Sequence, residues 1–455
     1  MIKKLVLLGL IVAQFTTSCS SDNTEILPEN ASLNDQIANL IKQPYSKLTP
    51  AEQKVKLEAE ANAMLVEMDH SKTSGAIEAI QNLENLLNVS SVAIFNNKNN
   101  NQITDVLNVA GTYGIYTWNN TTKAWIKTAS SSELKFIFPA KANQTTNNAT
   151  LVSKAVESTV KVKIIDTYGQ WNFDTYTYSQ DINDEIFLPT SVDAILTIDN
   201  VQAAIFTTKA TYSNGKETPD ESSFKMVLSD GYTYEMSGKK GDSNSTQSAF
   251  TYKNKNLVKY NFGSTAKIDA LLQDDALTAY RGKANGLVEL MDNFIIVADT
   301  DLAGLADGET ALEKSLTNPS FPDYADPKAD FKAYYTAKNS YNLKLSEGNA
   351  ANYNKNTKLI LVSKKEGTKI ADVVMRSEKG YSQTNSLPVW VANSYSTNGG
   401  YWSWNNGASV TTQNYDETLY LKFNDNTEVE MSAYFSTGFD TLEKKFEEFL
   451  KSFEK

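Results

Sequence analysis

One cysteine and one histidine in 455 residues exclude more chemistry than any motif present supplies. With Cys19 alone, no intramolecular disulfide can form, whatever the compartment permits. A zinc site of the usual kind needs several Cys or His ligands and has none to draw on. A serine or cysteine nucleophile needs an adjacent base, usually histidine. The one candidate, His70, closes a helical pattern and reads as a surface residue. Gly-x-Ser-x-Gly elbows and glycine-rich phosphate loops are absent as well. Asp299-x-Asp301-x-x-Gly304 opens like a calcium loop, but Ala303 stands where a third ligand belongs and Thr310 where a bidentate glutamate belongs. With 54 acidic residues, any carboxylate pair could be proposed for glycoside chemistry, so composition carries no signal for it. The expectation is therefore no enzyme, no catalytic residue, no metal and no cofactor. Lysine and arginine do not cluster, which excludes the basic footprint that nucleic-acid binding requires.

Long apolar runs are missing too. The best, Leu5 to about Phe15, falls short of the roughly 17–25 residues that span a bilayer. It follows Lys3 and Lys4 and leads to Thr16, Thr17, Ser18 and Cys19, the order of an export signal with a small-residue cleavage site. A thiol at that site can be alkylated by a diacylglyceryl group. The segment resembles the bacterial lipobox, with Thr16 where that motif usually has leucine. Ser20-Ser21-Asp22-Asn23-Thr24-Glu25 resembles the polar, acidic stretch behind the cysteine in surface-exposed lipoproteins of Bacteroidota. The resemblance covers only these N-terminal residues. It implies a signal peptide over 1–18, palmitate-type acylation of Cys19, and attachment to the outer membrane facing the cell exterior. The alternative reading is a plain export signal with an incidental cysteine. One acyl chain binds reversibly, whereas several hold a protein on the membrane.

Cleavage would remove two lysines and no acid, moving the net charge from −11 to −13 and leaving 437 residues. That length is enough for two or three domains at roughly 100–200 residues each. Residues 19–31 read as the lipidated cysteine and a flexible tether, and 32–90 as helical. Thr49-Pro50-Ala51-Glu52 is an N-cap, a proline at the first helical position and a capping-box acid. Leu57, Ala61, Met64, Leu65 and Met68 then share one helical face. Residues 91–265 alternate with period two and read as antiparallel β. Asp199-Asn200 and Asp230-Gly231 sit where hairpin turns demand positive φ. Residues 266–330 read as helical with a Pro-rich loop, the helix running to Leu316. Residues 331–455 read as a second β region whose last strand continues from Val429 to Phe435, followed by an amphipathic helix bearing Phe439, Leu442, Phe446, Phe449, Leu450 and Phe453. The fold class expected is α+β: curved antiparallel sheets with packed N-terminal, central and C-terminal helices.

Aromatics are plentiful, with 23 tyrosines, 19 phenylalanines and 6 tryptophans. Trp402 and Trp404 lie two apart in an extended, glycine-rich stretch, so their indoles share a face beside Tyr401 and several asparagine amides. A sugar ring needs an apolar platform with hydrogen-bonding groups at its edge. Tyr401, Trp402 and Trp404 are therefore the candidate ligand-binding residues, with a glycan as the candidate partner, and Trp118, Trp125, Trp171 and Trp390 are assigned to cores and hairpin caps. Three functions compete: a glycan- or nutrient-binding module, which needs exposed co-planar aromatics; a carrier of apolar ligands, which needs an apolar cavity; and a glycoside-active enzyme, which needs a cleft with clustered carboxylates.

Overall fold

The computed structural model describes residues 32–90, 92, 107, 110–164, 168–180, 184–213, 215–405, 407–436 and 444. The segments read as signal and tether, Cys19 and, apart from Lys444, the C-terminal amphipathic stretch lie outside the described residues.

Three helices come first: α1 (Leu33–Ile41), α2 (Pro50–Asp69) and α3 (Gly75–Val89). The capping box forms at α2, with the Glu52 amide donating to Thr49 Oγ1 at 3.3 Å and the Thr49 amide donating to Glu52 Oε2 at 2.8 Å. Twelve strands follow: β1 (Gly114–Asn119), β2 (Ala124–Thr128), β3 (Leu134–Phe138), β4 (Ala149–Ile164), β5 (Tyr168–Asn172), β6 (Thr177–Gln180), β7 (Asp184–Ile198), β8 (Val201–Thr211), β9 (Glu221–Leu228), β10 (Tyr232–Lys239), β11 (Asn244–Tyr252) and β12 (Lys255–Ser264). Then come α4 (Ile268–Leu271), β13 (Lys283–Leu290), β14 (Phe294–Asp301), α5 (Leu302–Ser315) and α6 (Phe331–Asn356). The chain continues through β15 (Thr357–Ser363), β16 (Thr368–Ser386), β17 (Val389–Ala392), β18 (Gly400–Ser403), β19 (Ser409–Lys422), β20 (Glu428–Glu430) and α7 (Met431–Ser436).

Sixteen of these strands form one sheet, in the order β2-β1-β3-β4-β7-β8-β9-β10-β11-β12-β13-β14-β15-β16-β19-β20. All its pairs are antiparallel except β1 with β3. The fold is α+β, and the two β regions of the sequence join in one continuous ladder through β12, β13, β14 and β15. Asp199 and Asn200 both take positive φ in the two-residue turn between β7 and β8, and Lys253-Asn254 and Met291-Asp292 do the same in theirs. At the β9–β10 turn only Gly231 crosses to positive φ.

The sheet has one hydrophobic core under each half, and α2 belongs to both. Leu57 packs with Phe294, Leu361, Val373 and Leu421, whereas Met64 and Met68, two and three turns on, pack with Phe136, Leu196, Leu228 and Tyr232. Ala61, Leu65 and these residues are buried as the helical spacing requires. On the other face of the sheet, α1 lays Ile37 and Leu40 on Ile295, Val297, Ile360 and Val362.

Three segments depart from the sequence reading. The stretch expected to be helical from 266 to 316 contains β13 and β14, with α5 only at its end. These strands lie between α1 and the α2 side, so both faces are apolar and the period-two signal disappears. The region read as β from residue 331 begins with α6, a 26-residue helix. Of that helix, Phe331, Ser346 and Ala350 are buried, so no apolar stripe marks it. The strand expected to run from Val429 to Phe435 stops at Glu430 and turns into α7, which seats Tyr434 on Phe423 and lets its hydroxyl donate to the Pro50 carbonyl at 2.8 Å.

Candidate functional site

Two long hairpins outrun the sheet. The larger is β16–β19: β15 pairs with β16 as far as Val373, but β16 pairs with β19 on to Ser386. Residues 376–386 thus form an arm about 36 Å long at ~3.3 Å per residue, and α6, about 39 Å long at ~1.5 Å per residue, lies along it. Tyr353 packs on the apolar cluster of Leu419 and Leu421. Asparagine amides on α6 pair with the backbone of the hairpin. Asn339 donates to the Thr411 carbonyl at 2.8 Å and accepts from the Gln413 amide at 2.7 Å. Asn354 makes the same double contact with Met375, both bonds at 2.8 Å. Asn342 donates to the Gln413 carbonyl at 3.0 Å. Each such pair satisfies strand-edge groups that no neighbouring strand reaches.

At the root of the arm, Arg376 grips Glu428 through Nε at 2.9 Å and Nη2 at 2.6 Å. The hydrogen bond from Arg376 holds the Glu428 carboxyl below its usual range. A carboxylate depressed in the folded state adds stability above its unfolded pKa and loses it as pH falls through the folded value. Amide exchange around residues 376 and 428 is therefore expected to speed up as pH falls from 6 to 3, beyond the intrinsic trend, and Glu428→Gln to abolish that dependence. The effect stays within about 1 kcal/mol, because the Arg376 side chain is well exposed.

The tip is a second, small hairpin, β17–β18, whose cross-strand pair is Trp390 and Trp402. Their rings meet edge to face at 5.3 Å. Gly400 permits the turn into this pair, since a Cβ there would come within 2.6 Å of the Trp390 ring. Both indoles of the predicted pair reach the first turn of α6: Phe331 lies 4.9 Å from Trp402 and 5.9 Å from Trp404, centroid to centroid. The proline-punctuated loop before α6 adds Phe321 and Tyr324, each 5.6 Å from Phe331. Phe331 is the hub, with 3 % of its surface accessible.

Trp402 and Trp404 share a side, as their spacing requires, but divide the work. Trp402 is half-buried, its Nε1 buried without an acceptor, and serves as packing. Trp404 is 42 % exposed and meets Tyr324 at 6.3 Å and 63°, so the two rings form an open corner over Phe331 instead of a flat platform. Tyr401 projects from the opposite face of β18, opposite Val391 in the ladder, and stands apart from the corner. Sequence reasoning missed Tyr324 and Phe331; Trp390, assigned to cores and hairpin caps, pairs across the tip hairpin with Trp402. Proline spacing at 319, 322 and 327 marked a loop without showing where it packs.

The other tryptophans separate cleanly. Trp118 and Trp125 belong to the main core and meet at 5.2 Å. Trp171 is exposed at the tip of the second arm, β4–β7, which carries the small hairpin β5–β6. His70 stacks on Tyr252 at 5.2 Å. Asp301 caps α5, accepting from the Gly304 amide at 2.9 Å, which accounts for the calcium-like spacing. No group of three His, Cys, Asp or Glu is placed to hold a metal among the described residues. A cavity of about 450 Å³ lies between α2 and the turn joining β15 to β16, lined by Lys56, Glu60, Lys365 and Glu366. Its carboxylates are tied up, Glu60 by Lys365 at 2.6 Å and Glu366 by Lys56.

Comparison with protein-family models, curated proteins and solved structures finds no match for this chain.

Proposed function

We propose that this is a lipid-anchored protein of the outer membrane, exposed at the cell exterior, that acts as a non-catalytic binding module, and that the corner formed by Trp404 and Tyr324 takes a saccharide ring. The anchor part of this reading is supported by the order Lys3-Lys4, apolar run, Thr17-Ser18-Cys19. The observation that carries the binding part is an exposed indole on a buried aromatic floor at the end of an arm. A pyranose stacks its C–H face on Trp404, with the edge of Tyr324 as a side wall. Polar groups for its hydroxyls stand alongside: Asn405 follows Trp404, and Asn398 is tied to the Ala325 carbonyl at 3.4 Å. The cavity at α2 offers glycoside chemistry no free carboxylate, because Glu60 and Glu366 are already paired with Lys365 and Lys56.

Glycan screening of the mature chain carrying Cys19→Ala, followed by titration of tryptophan emission, tests the binding. Trp404→Ala is expected to weaken the best ligand at least tenfold, about 1.4 kcal/mol, while Tyr401→Ala leaves it unchanged. Equal binding by Trp404→Ala, or loss on Tyr401→Ala, contradicts the assignment.

A further inference from the structure

The aromatic tips and the start of α1 lie at one edge of the sheet. Antiparallel pairing from β4 and β7 through to β16 and β19 makes β4, β12 and β16 run the same way. The tips that follow β4 and β16 therefore emerge on the same side. The start of α1 lies there too: Leu33 would sit 3.1 Å from a Cβ at Gly263, near the end of β12, and Asn34 accepts from Asn285 at the start of β13. The twelve residues that precede Ser32 after Cys19 reach at most about 40 Å when fully extended, at ~3.3 Å each.

Exposed aromatic side chains follow the same asymmetry. Among the described residues, every exposed Trp and Phe, and every exposed Tyr except Tyr113, lies at this edge or on the arms beyond it. Phe173 and Tyr176, at the turn of the β4–β7 arm, are 79 % and 76 % exposed, and Leu272 and Tyr280 stand on the β12–β13 connection between the arms. The opposite edge is made of turns such as Asp199-Asn200, Lys253-Asn254 and Lys364–Gly367. Several charges at this edge pair with one another: Lys240 with Asp220 and Asp269, Lys216 also with Asp269, and Lys267 with Asp242. Tryptophan and tyrosine favour the headgroup level of a bilayer, where an apolar ring and a polar tip are both accommodated.

We infer that this edge stands on the protein's own membrane, with Trp171, Phe173 and Tyr176 at one arm tip and Trp404 at the other resting in the lipid headgroup layer. The inference rests on Cys19 as the anchor and places the Trp404 corner in the headgroup layer, so the saccharide it takes is one presented there. Its test uses the acylated protein in vesicles of phosphatidylethanolamine and phosphatidylglycerol, with and without lipid brominated near the headgroup. Tryptophan emission is expected to be quenched by the brominated lipid, and the quenching to be lost in Trp171→Phe/Trp404→Phe but retained in Trp118→Phe. Phe173→Ser/Tyr176→Ser, which alters only exposed side chains, is expected to lower the Trp171 share. Unquenched emission from protein whose mass shows the acyl chains overturns the docking, leaves the anchor standing and assigns the edge to a protein partner. A native protein without acyl chains overturns the anchor and the docking with it.

Discussion

Replacing Phe331 with alanine is expected to unfold the tip of the β16–β19 arm while leaving the sheet folded. The ring is almost wholly buried and touches Trp402, Trp404, Phe321 and Tyr324, so truncation removes the floor from under four aromatics at once. Buried Phe→Ala changes cost about 3–5 kcal/mol. A hairpin of two four-residue strands has no other core to absorb that loss. Amide protection over residues 389–403 should vanish, tryptophan emission should move to the red, and saccharide binding should go with it. The main unfolding transition should stay in place, because the cores under the sheet contain none of these residues. Loss of the main transition would mean that arm and sheet fold as one unit.

The second large effect concerns α2. Leu57→Ala removes a side chain from one core and Met64→Ala from the other, and each is expected to cost about 2–5 kcal/mol. The positions are seven residues apart, roughly 10 Å along the helix, so the two costs should add within about 0.5 kcal/mol. The double variant then loses on the order of the whole net stability of a folded domain, ~5–15 kcal/mol. Urea unfolding of the two single variants and the double variant measures it. A double variant no worse than Leu57→Ala alone would show that α2 does not hold the half of the sheet on which Met64 packs.

Much of this architecture could be read locally. Thr49-Pro50-Ala51-Glu52 announces α2, and Asp199-Asn200 announces its hairpin, because capping and positive φ depend on near neighbours. What escaped depends on distant ones. β13 and β14 are apolar on both faces only because α1 arrives from residues 33–41 to cover the second. α6 binds its hairpin with asparagine amides, which look like loop composition until Asn339 and Asn354 are seen matched to strand backbone. The site divides in the same way. Trp402 and Trp404 share a side as their spacing implied, whereas Phe331 and Tyr324 come from seventy and more residues upstream, beyond the reach of any local pattern.

Acylation of Cys19 is the claim from which surface attachment, orientation and the working environment of the Trp404 corner all follow. The direct measurement is the intact mass of the protein purified from its native membrane, compared with Cys19→Ala, with protease shaving of whole cells as the readout of exposure. A mature chain beginning at Cys19 and carrying acyl chains, shaved from intact cells, is the expected result. An unacylated chain released into the medium would contradict the account and make this a soluble secreted protein.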